Sequence, residues 1–356
     1  MRFHPTEEQL AMQASVRGTL ADTFSAQRLR EFIDTDLDHD AESWSALMAL
    51  GLGGLTIPEA EGGSGLGLVD AALVLEVLGE RAAAGPFAQH LVAGLALSLS
   101  ENEAARRQWL PHIVAGKTIA TLALGGEWLP ESWDVAVEDG ALSGTVPFVP
   151  AGCSAGVYVV GTSGGGLALV AAGETVSGEP LNSSDRTRSL AAVTFDRAPA
   201  ALLFEPGHAA VARLFDAALV LTAADALGAA HHCVDLSVSY ALERQQFGQV
   251  IGRFQALKHQ LATMALEVEP ARALVWYAAH AWDARLSDAA RAAALAKAHL
   301  ADRLVSVTRA AIAAHGGIGY TWEYLLHAWF RRALFDRAYL GGPATHRARA
   351  ADLAGW

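Results

Sequence analysis

The sequence predicts an α+β protein, predominantly helical. An N-terminal helical domain is expected over residues 1–116, a middle antiparallel β domain over 117–205, and a C-terminal helical bundle over 206–356. Three observations carry this expectation. Apolar residues recur at helical spacing in the first third. Short apolar or alternating runs, punctuated by Gly, Pro, Ser, Asn and Asp, fill the middle. The helical period then returns in long Ala-rich segments, and Ala suits a helix because it loses no side-chain entropy on entering one.

In order along the chain, Thr6 precedes Glu7, Glu8 and Gln9 and is an N-cap signal. Helices follow around residues 42–50, 67–79 and 103–115. Between the first two lies IPEAEGGSG (57–65), a loop that either turns the chain or lets a ligand approach closely. Strands are expected at 118–124, 135–137, 156–160, 167–171 and 191–195. The most apolar stretch, 155–172, is broken by Gly161 and by glycines 164–166, so it forms strand, turn, strand rather than a membrane span. In the last third Pro270 is expected to kink or end a helix. Gly316 and Gly317 are expected to close the helix that begins near Asp288.

Composition narrows the function classes. With 356 residues, 52% hydrophobic and 18% charged, the chain has material for a large core. A net charge of −12 argues against a nucleic-acid partner, which needs clustered Lys and Arg. It leaves room for a small polyanionic ligand met by local basic groups. Two cysteines, Cys153 and Cys233, make no disulfide framework and fit a reducing cytoplasm. The N-terminus lacks the apolar core of a signal peptide, so a cytoplasmic protein with no membrane partner is expected.

Two segments carry chemistry: YALERQQFGQVIGRFQ (240–255) and HGGIGYTWE (315–323). Arg244 and Phe247 lie three apart near the end of a predicted helix, which would place them on one face. A guanidinium can grip a pyrophosphate through paired hydrogen bonds, and a neighbouring ring can cover adenine. Arg-x-x-Phe-Gly alone is common, and by itself it fits a solvated Arg beside a core Phe better than a cofactor grip. With Ile251, Phe254 and Gln255 following, and the glycine pair later, the set resembles the flavin-contacting segments of the acyl-CoA dehydrogenase family. The resemblance spans nearly the whole chain, strongest in the last third and weakest in the β domain.

That resemblance implies FAD as cofactor and α,β-desaturation of an acyl-CoA substrate, with an electron-transferring flavoprotein as acceptor. It implies that Arg244, Phe247, Ile251, Phe254, Gln255, Gly316 and Gly317 hold the ADP end of FAD across a subunit interface. The glycines would let backbone amides reach the cofactor. One departure is Ala313, where the family often has Gln.

The flavin side departs further. LGGEWLPESWD (124–134) does not resemble the family's hydroxyl- and glycine-rich flavin loop. At residues 148–150 (Phe148, Val149 and Pro150), proline offers the ring neither a hydroxyl nor an N–H, although Phe148 could still stack. The reaction removes an α-proton, which requires a carboxylate beside the α-carbon. By resemblance the two usual positions for it are Leu340 and Ala218, so no catalytic residue is assigned in this chain. Asp216, Asp225 and Glu323 are the nearest substitutes. Asp216 lies on another helical face, and Glu323 is expected in the first turn of a helix capped by Thr321, where acids are favoured anyway.

The adjacent His231 and His232 diverge on a helix and lack a completing ligand, so no metal is expected. Trp276, Trp282, Trp322 and Trp329 are expected to pack helices together. The combination implies a subunit of a heteromeric, α2β2 acyl-CoA dehydrogenase of the bacterial sterol-side-chain kind, whose homologous partner subunit supplies the carboxylate. The alternatives are a homo-oligomer with a displaced base, a flavin enzyme of different chemistry such as oxygen activation, and a non-catalytic acyl-CoA-binding or scaffold relative.

Overall fold

A computed structural model describes residues 4–356. The fold is α+β and predominantly helical. Six helices come first: α1 (Glu7–Thr23), α2 (Ala26–Phe32), α3 (Ala41–Ala49), α4 (Leu68–Glu80), α5 (Phe87–Leu99) and α6 (Glu103–Val114). Thr6 caps α1 as its sequence predicts: its hydroxyl accepts from the Gln9 N–H at 3.2 Å, and the Gln9 side chain accepts from the Thr6 N–H at 2.9 Å. The 57–65 loop is a turn folded on itself. A Cβ on Gly63 would stand 2.1 Å from the Ile57 carbonyl, so backbone already fills the space a ligand would need.

His90, on α5, couples this helical set to the sheet. It is 0% exposed. Its Nδ1 accepts from the Ala120 N–H at 3.1 Å, so Nε2 carries the proton and donates to the Ile113 carbonyl at 3.0 Å. Burial pushes its pKa from 6.5 down to about 4. The unfolded chain therefore binds a proton near pH 6.5 that the folded one refuses until about pH 4. Stability is expected to fall as pH drops through that window, by up to about 3 kcal/mol, with no effect above neutrality. Denaturant midpoints measured against pH, with His90→Gln showing a shallower acid slope, check this.

Seven strands form the middle sheet: β1 (Ala120–Ala123), β2 (Ala136–Glu138), β3 (Ala141–Pro150), β4 (Val157–Thr162), β5 (Gly166–Ala171), β6 (Val176–Leu181) and β7 (Leu190–Phe204). Their order is β1-β4-β5-β7-β3-β2, with β6 also on β7. The sheet is not wholly antiparallel as expected. β1 pairs with β4 in parallel, because the β2–β3 hairpin intervenes and returns the chain in the same direction. β3 and β6 escape sequence patterning: β3 contains Gly144, Pro147 and Pro150, and β6 is largely exposed.

The remaining helices are α7 (Ala209–Glu243), α8 (Gln255–Asp283), α9 (Ala289–His315), α10 (Leu326–Ala338) and α11 (Pro343–Asp352), with a small hairpin of β8 (Gln245–Gln246) and β9 (Gln249–Val250) after α7. Gly316, at φ 64°, ends α9 where the sequence places its close. Pro270 does not end α8. The carbonyl its missing N–H would have served belongs to Leu266, whose side chain is 73% exposed, on the side where water can substitute.

α7 is the central element, and α4 crosses it at two glycines. A Cβ on Gly228 would sit 1.8 Å from the Glu76 carbonyl, and one on Gly79 would sit 2.0 Å from the Asp225 carbonyl. Gly228→Ala is expected to lower stability by about 2 kcal/mol, measurable by chemical denaturation, since backbone must move to admit the methyl. Trp282 and Trp329 pack helices as expected, at 9% and 6% exposure. Trp322 does not: it is 51% exposed and lies beneath the Arg331 guanidinium.

Candidate functional site: an exposed cofactor grip beside a filled cavity

The two chemistry-bearing segments meet at one end of the helical bundle. Tyr240, one turn before the end of α7, stacks on His315, the last residue of α9, with ring centroids 4.4 Å apart. Tyr324 closes over the same imidazole at 4.6 Å. His315 Nδ1 donates to the Ala311 carbonyl at 2.7 Å, which leaves Nε2 buried with no partner. This stack was not visible as a motif, because it joins positions seventy-five residues apart.

Arg244 and Phe247 are not on a helical face. α7 stops at Glu243, Arg244 is its extended C-cap, and Phe247 occupies the tip of the β8–β9 hairpin at φ 52° with Gly248 at φ 77°. The turn needs two consecutive positive-φ residues, which is why the helical periodicity fails there. The hairpin folds back so that Ile251 N–H donates to the Arg244 carbonyl at 2.8 Å. The rings of Phe247 and Phe254 meet edge-on at 6.1 Å. Arg244 and Gln255 are exposed, Ile251 and Phe254 half-buried, and Phe247 is 91% exposed. Gly316 and Gly317 follow His315 of the ring stack and have open space at both Cβ positions. A Phe that is 91% exposed at a hairpin tip is a surface suited to being covered.

The positions of the missing carboxylate have the opposite character. Leu340 is 0% exposed at φ 61°, and Ala218 is 3% exposed. The space at Ala218, bounded by Val92, Leu122, Leu214 and Phe215, measures about 10 Å³, no more than a single water could use. Before Leu340, Tyr339 stacks on Phe335 at 5.1 Å and receives the edge of Trp128 at 5.2 Å, and Trp128 in turn leans on Phe148 at 6.3 Å. Neither position opens onto free space.

Behind them lies a buried ion cluster. Arg332 grips both oxygens of Asp225 at 2.6 and 2.9 Å, and donates to Thr187 Oγ1 at 2.8 Å and the Ala83 carbonyl at 3.1 Å. Arg188 bridges Asp225 and Asp336, and Lys297 donates to the Asp336 carbonyl. Burial opposes ionisation of Asp225, but the Arg188 and Arg332 guanidiniums outweigh it and hold its pKa below the usual carboxylate value. Burial pushes Asp336 the other way, up to about 7.

The three candidate acids are therefore engaged or misplaced. Asp225 belongs to the cluster. Asp216 is 3% exposed and pairs with Arg349 at 2.7 Å. Glu323 is not in a helix capped by Thr321: it sits in an irregular turn after a 3-10 segment, α10 starting only at Leu326. Its backbone carbonyl accepts from Arg30 at 2.8 Å. His231 contacts Asp235 and Glu269 at 3.3 and 3.2 Å, and no group suited to a metal ion occurs among the described residues. Within the same residues, no helix is long and apolar enough to cross a membrane.

Comparison with known proteins agrees with this arrangement at the level of family. Residues 6–117 match the acyl-CoA dehydrogenase N-terminal domain, and residues 206–353 match the acyl-CoA dehydrogenase C-terminal domain. Acyl-CoA dehydrogenase IpdE2 of Mycolicibacterium smegmatis is 32% identical over 345 residues, covering 95% of this chain and 96% of that protein. The Tcur3481-Tcur3483 steroid ACAD variant superposes with a TM-score of 0.91 at 32% identity, covering 98% of each chain. The ChsE4-ChsE5 complex from Mycobacterium tuberculosis superposes with a TM-score of 0.89 at 25% identity, over 100% of this chain and 99% of that one. The chain therefore belongs to the acyl-CoA dehydrogenase family, the FAD-dependent oxidoreductases that act on acyl-CoA esters.

Proposed function

We propose that this chain is the non-deprotonating subunit of a heteromeric acyl-CoA dehydrogenase, holding one end of a FAD whose isoalloxazine ring and catalytic carboxylate lie with a homologous partner. The observation that carries the reading is the contrast between its two faces. Arg244, Phe247 and the Gly316–Gly317 backbone are presented outward, while Leu340 and Ala218 are buried. The relatives lend support, since one similar structure is a steroid acyl-CoA dehydrogenase and another is a two-protein complex. A bulky, steroid-type acyl-CoA is the corresponding substrate, with electron-transferring flavoprotein as acceptor.

The residues present fit one half of FAD. Arg244 offers a free guanidinium for the pyrophosphate, Phe247 a free ring for adenine, and Gly316 and Gly317 bare backbone on which phosphate oxygens can rest. Ile251, Phe254 and Gln255 hold the hairpin that aims the first two. FAD, when bound, supplies the hydride acceptor. This chain's task is to grip and orient: it fixes the diphosphate end, which holds the distant ring in register, and its packed aromatic face excludes water. It abstracts no proton.

Two measurements test the reading. The flavin-to-chain ratio, with mass in solution, is expected to be near zero for the chain alone and one per two chains after co-expression with a homologous partner. One FAD per chain in a homo-oligomer would overturn it. Arg244→Ala is expected to weaken FAD retention in the heteromer by about tenfold to a hundredfold, read by fluorescence of released flavin, because a charge-assisted contact to phosphate is lost.

A further inference from the structure

A cavity of about 480 Å³ opens between the α2–α3 connection and the β6–β7 connection, and neither cofactor segment lines it. Three oxygens in its lining are buried and have no hydrogen-bond partner among the described residues: Asp38 Oδ2, Asp185 Oδ2 and Ser189 Oγ. Asp185 weighs most, because the residue is 1% exposed. Its other carboxylate oxygen is committed. That atom accepts from the Thr187 N–H at 2.9 Å and from Thr187 Oγ1 at 2.7 Å, which fixes the carboxylate in place and leaves Oδ2 unanswered.

The positive groups nearby do not answer these oxygens. Arg186 spends its guanidinium on the Ile33 and Thr35 carbonyls, at 3.3 and 2.7 Å, and on Asp36 at 2.8 Å. Arg188 senses the charge of Asp185 but makes its ion pairs with Asp225 and Asp336. Burial, then the charge of Asp38, push the Cys153 thiol up, so at neutral pH it adds no charge at the cavity wall. In the lining, Asp36, Asp38 and Asp185 therefore stand against the single Arg186. A carboxylate oxygen left unpaired in a cavity wall is costly, and a positively charged N–H donor is its strongest partner. A primary ammonium has three donors and no acceptor, which matches three unanswered oxygens. Leu37, Leu181 and Leu190 line the same space and suit a hydrocarbon stem.

We propose that this cavity binds a small aliphatic amine, with its ammonium group held by Asp38, Asp185 and Ser189 and its stem against the three leucines. The ligand is a cation, so the site is unsuited to the phosphate groups of a flavin or a CoA ester. It is a second ligand site on this chain and does not depend on the split-flavin reading.

The test uses pentylamine as probe, titrated calorimetrically into the full-length chain at neutral pH and physiological ionic strength. Saturable binding is expected, while pentanol, with the same stem and no charge, is expected not to bind. Asp38→Asn keeps the shape and removes the charge, and is expected to weaken binding at least about tenfold; Ser189→Ala is expected to weaken it about threefold. Asp185 is left intact because it holds Thr187, which accepts a bond from the buried Arg332. Glu138→Gln, on the exposed side of β2, serves as the control and is expected to bind like wild type. A second readout is alkylation of Cys153 by iodoacetamide, which saturating pentylamine is expected to slow in wild type; Cys233 is buried and does not compete. Unchanged unfolding midpoints separate loss of the site from loss of the fold. Absence of saturable binding, equal binding of pentanol, or full affinity in both Asp38→Asn and Ser189→Ala overturns the proposal. The flavin ratio of the heteromer is read independently, so failure of the cavity leaves the split-flavin reading standing.

Discussion

Asp225→Ala is expected to lower the unfolding free energy by about 3–5 kcal/mol, the loss typical of breaking a buried ion pair from one side. Asp225 is 1% exposed and neutralises two guanidiniums, Arg332 and Arg188. Arg188 retains Asp336 after the change, but Arg332, itself 1% exposed, keeps only Thr187 Oγ1 and the Ala83 carbonyl. A guanidinium cannot shed its proton, so the charge stays in a low-dielectric site with only Asp336, already engaged by Arg188, to offset it. The cluster also joins three parts of the chain: the α4–α5 connection through Ala83, the β6–β7 connection through Thr187 and Arg188, and α7 with α10. Asp225→Ala/Arg332→Met is expected to recover most of the loss, because it removes both charges and fills the volume with an apolar side chain. Chemical denaturation of the single and double variants checks both statements. A loss below about 1 kcal/mol in the single variant would mean that water reaches the cluster.

Leu340→Glu is expected to destabilise the chain by about 3 kcal/mol and to confer no dehydrogenase turnover. The side chain is 0% exposed, and the residue's own carbonyl is tied to His346 Nε2 at 2.7 Å. A carboxyl placed in this buried position would stay protonated, and its burial costs stability. More important for function, Leu340 is wholly buried, so a substrate α-carbon has no open space against it. A base at the right sequence position is not a base at the right point in space. Thermal unfolding and an assay with an artificial electron acceptor decide the matter. Turnover by the Leu340→Glu chain with FAD alone would show that this buried position opens, and the split-site reading would fall.

The contrast between the two faces was partly legible in residue identity. Leu340, Ala218 and Pro150 announce missing chemistry however the chain folds, because no geometry gives these side chains a titratable group. Local chemistry also set the N-cap at Thr6 and the glycine stop at Gly316, since both depend on hydrogen bonds within one turn of chain. The hairpin at Phe247 was misread as helix because its positive-φ residues interrupt a period that looks continuous in sequence. β6 was missed because an exposed strand has no hydrophobic alternation to display.

What the sequence by itself determined is the succession of helices, strands and helices, the segments that carry the family's cofactor chemistry, and the absence of a carboxylate at two positions. The succession follows from periodicity and residue type, which act over a few neighbours, while the cofactor segments and the two positions are what the family resemblance implies. The tertiary structure alone decided that Tyr240 and His315 bring the two cofactor segments together, that Asp225 pairs with Arg332 across more than a hundred residues, and that Asp38, Asp185 and Ser189 share a cavity. Charge pairing and ring stacking between distant segments leave no period in a sequence, because they depend only on where packing sets the side chains.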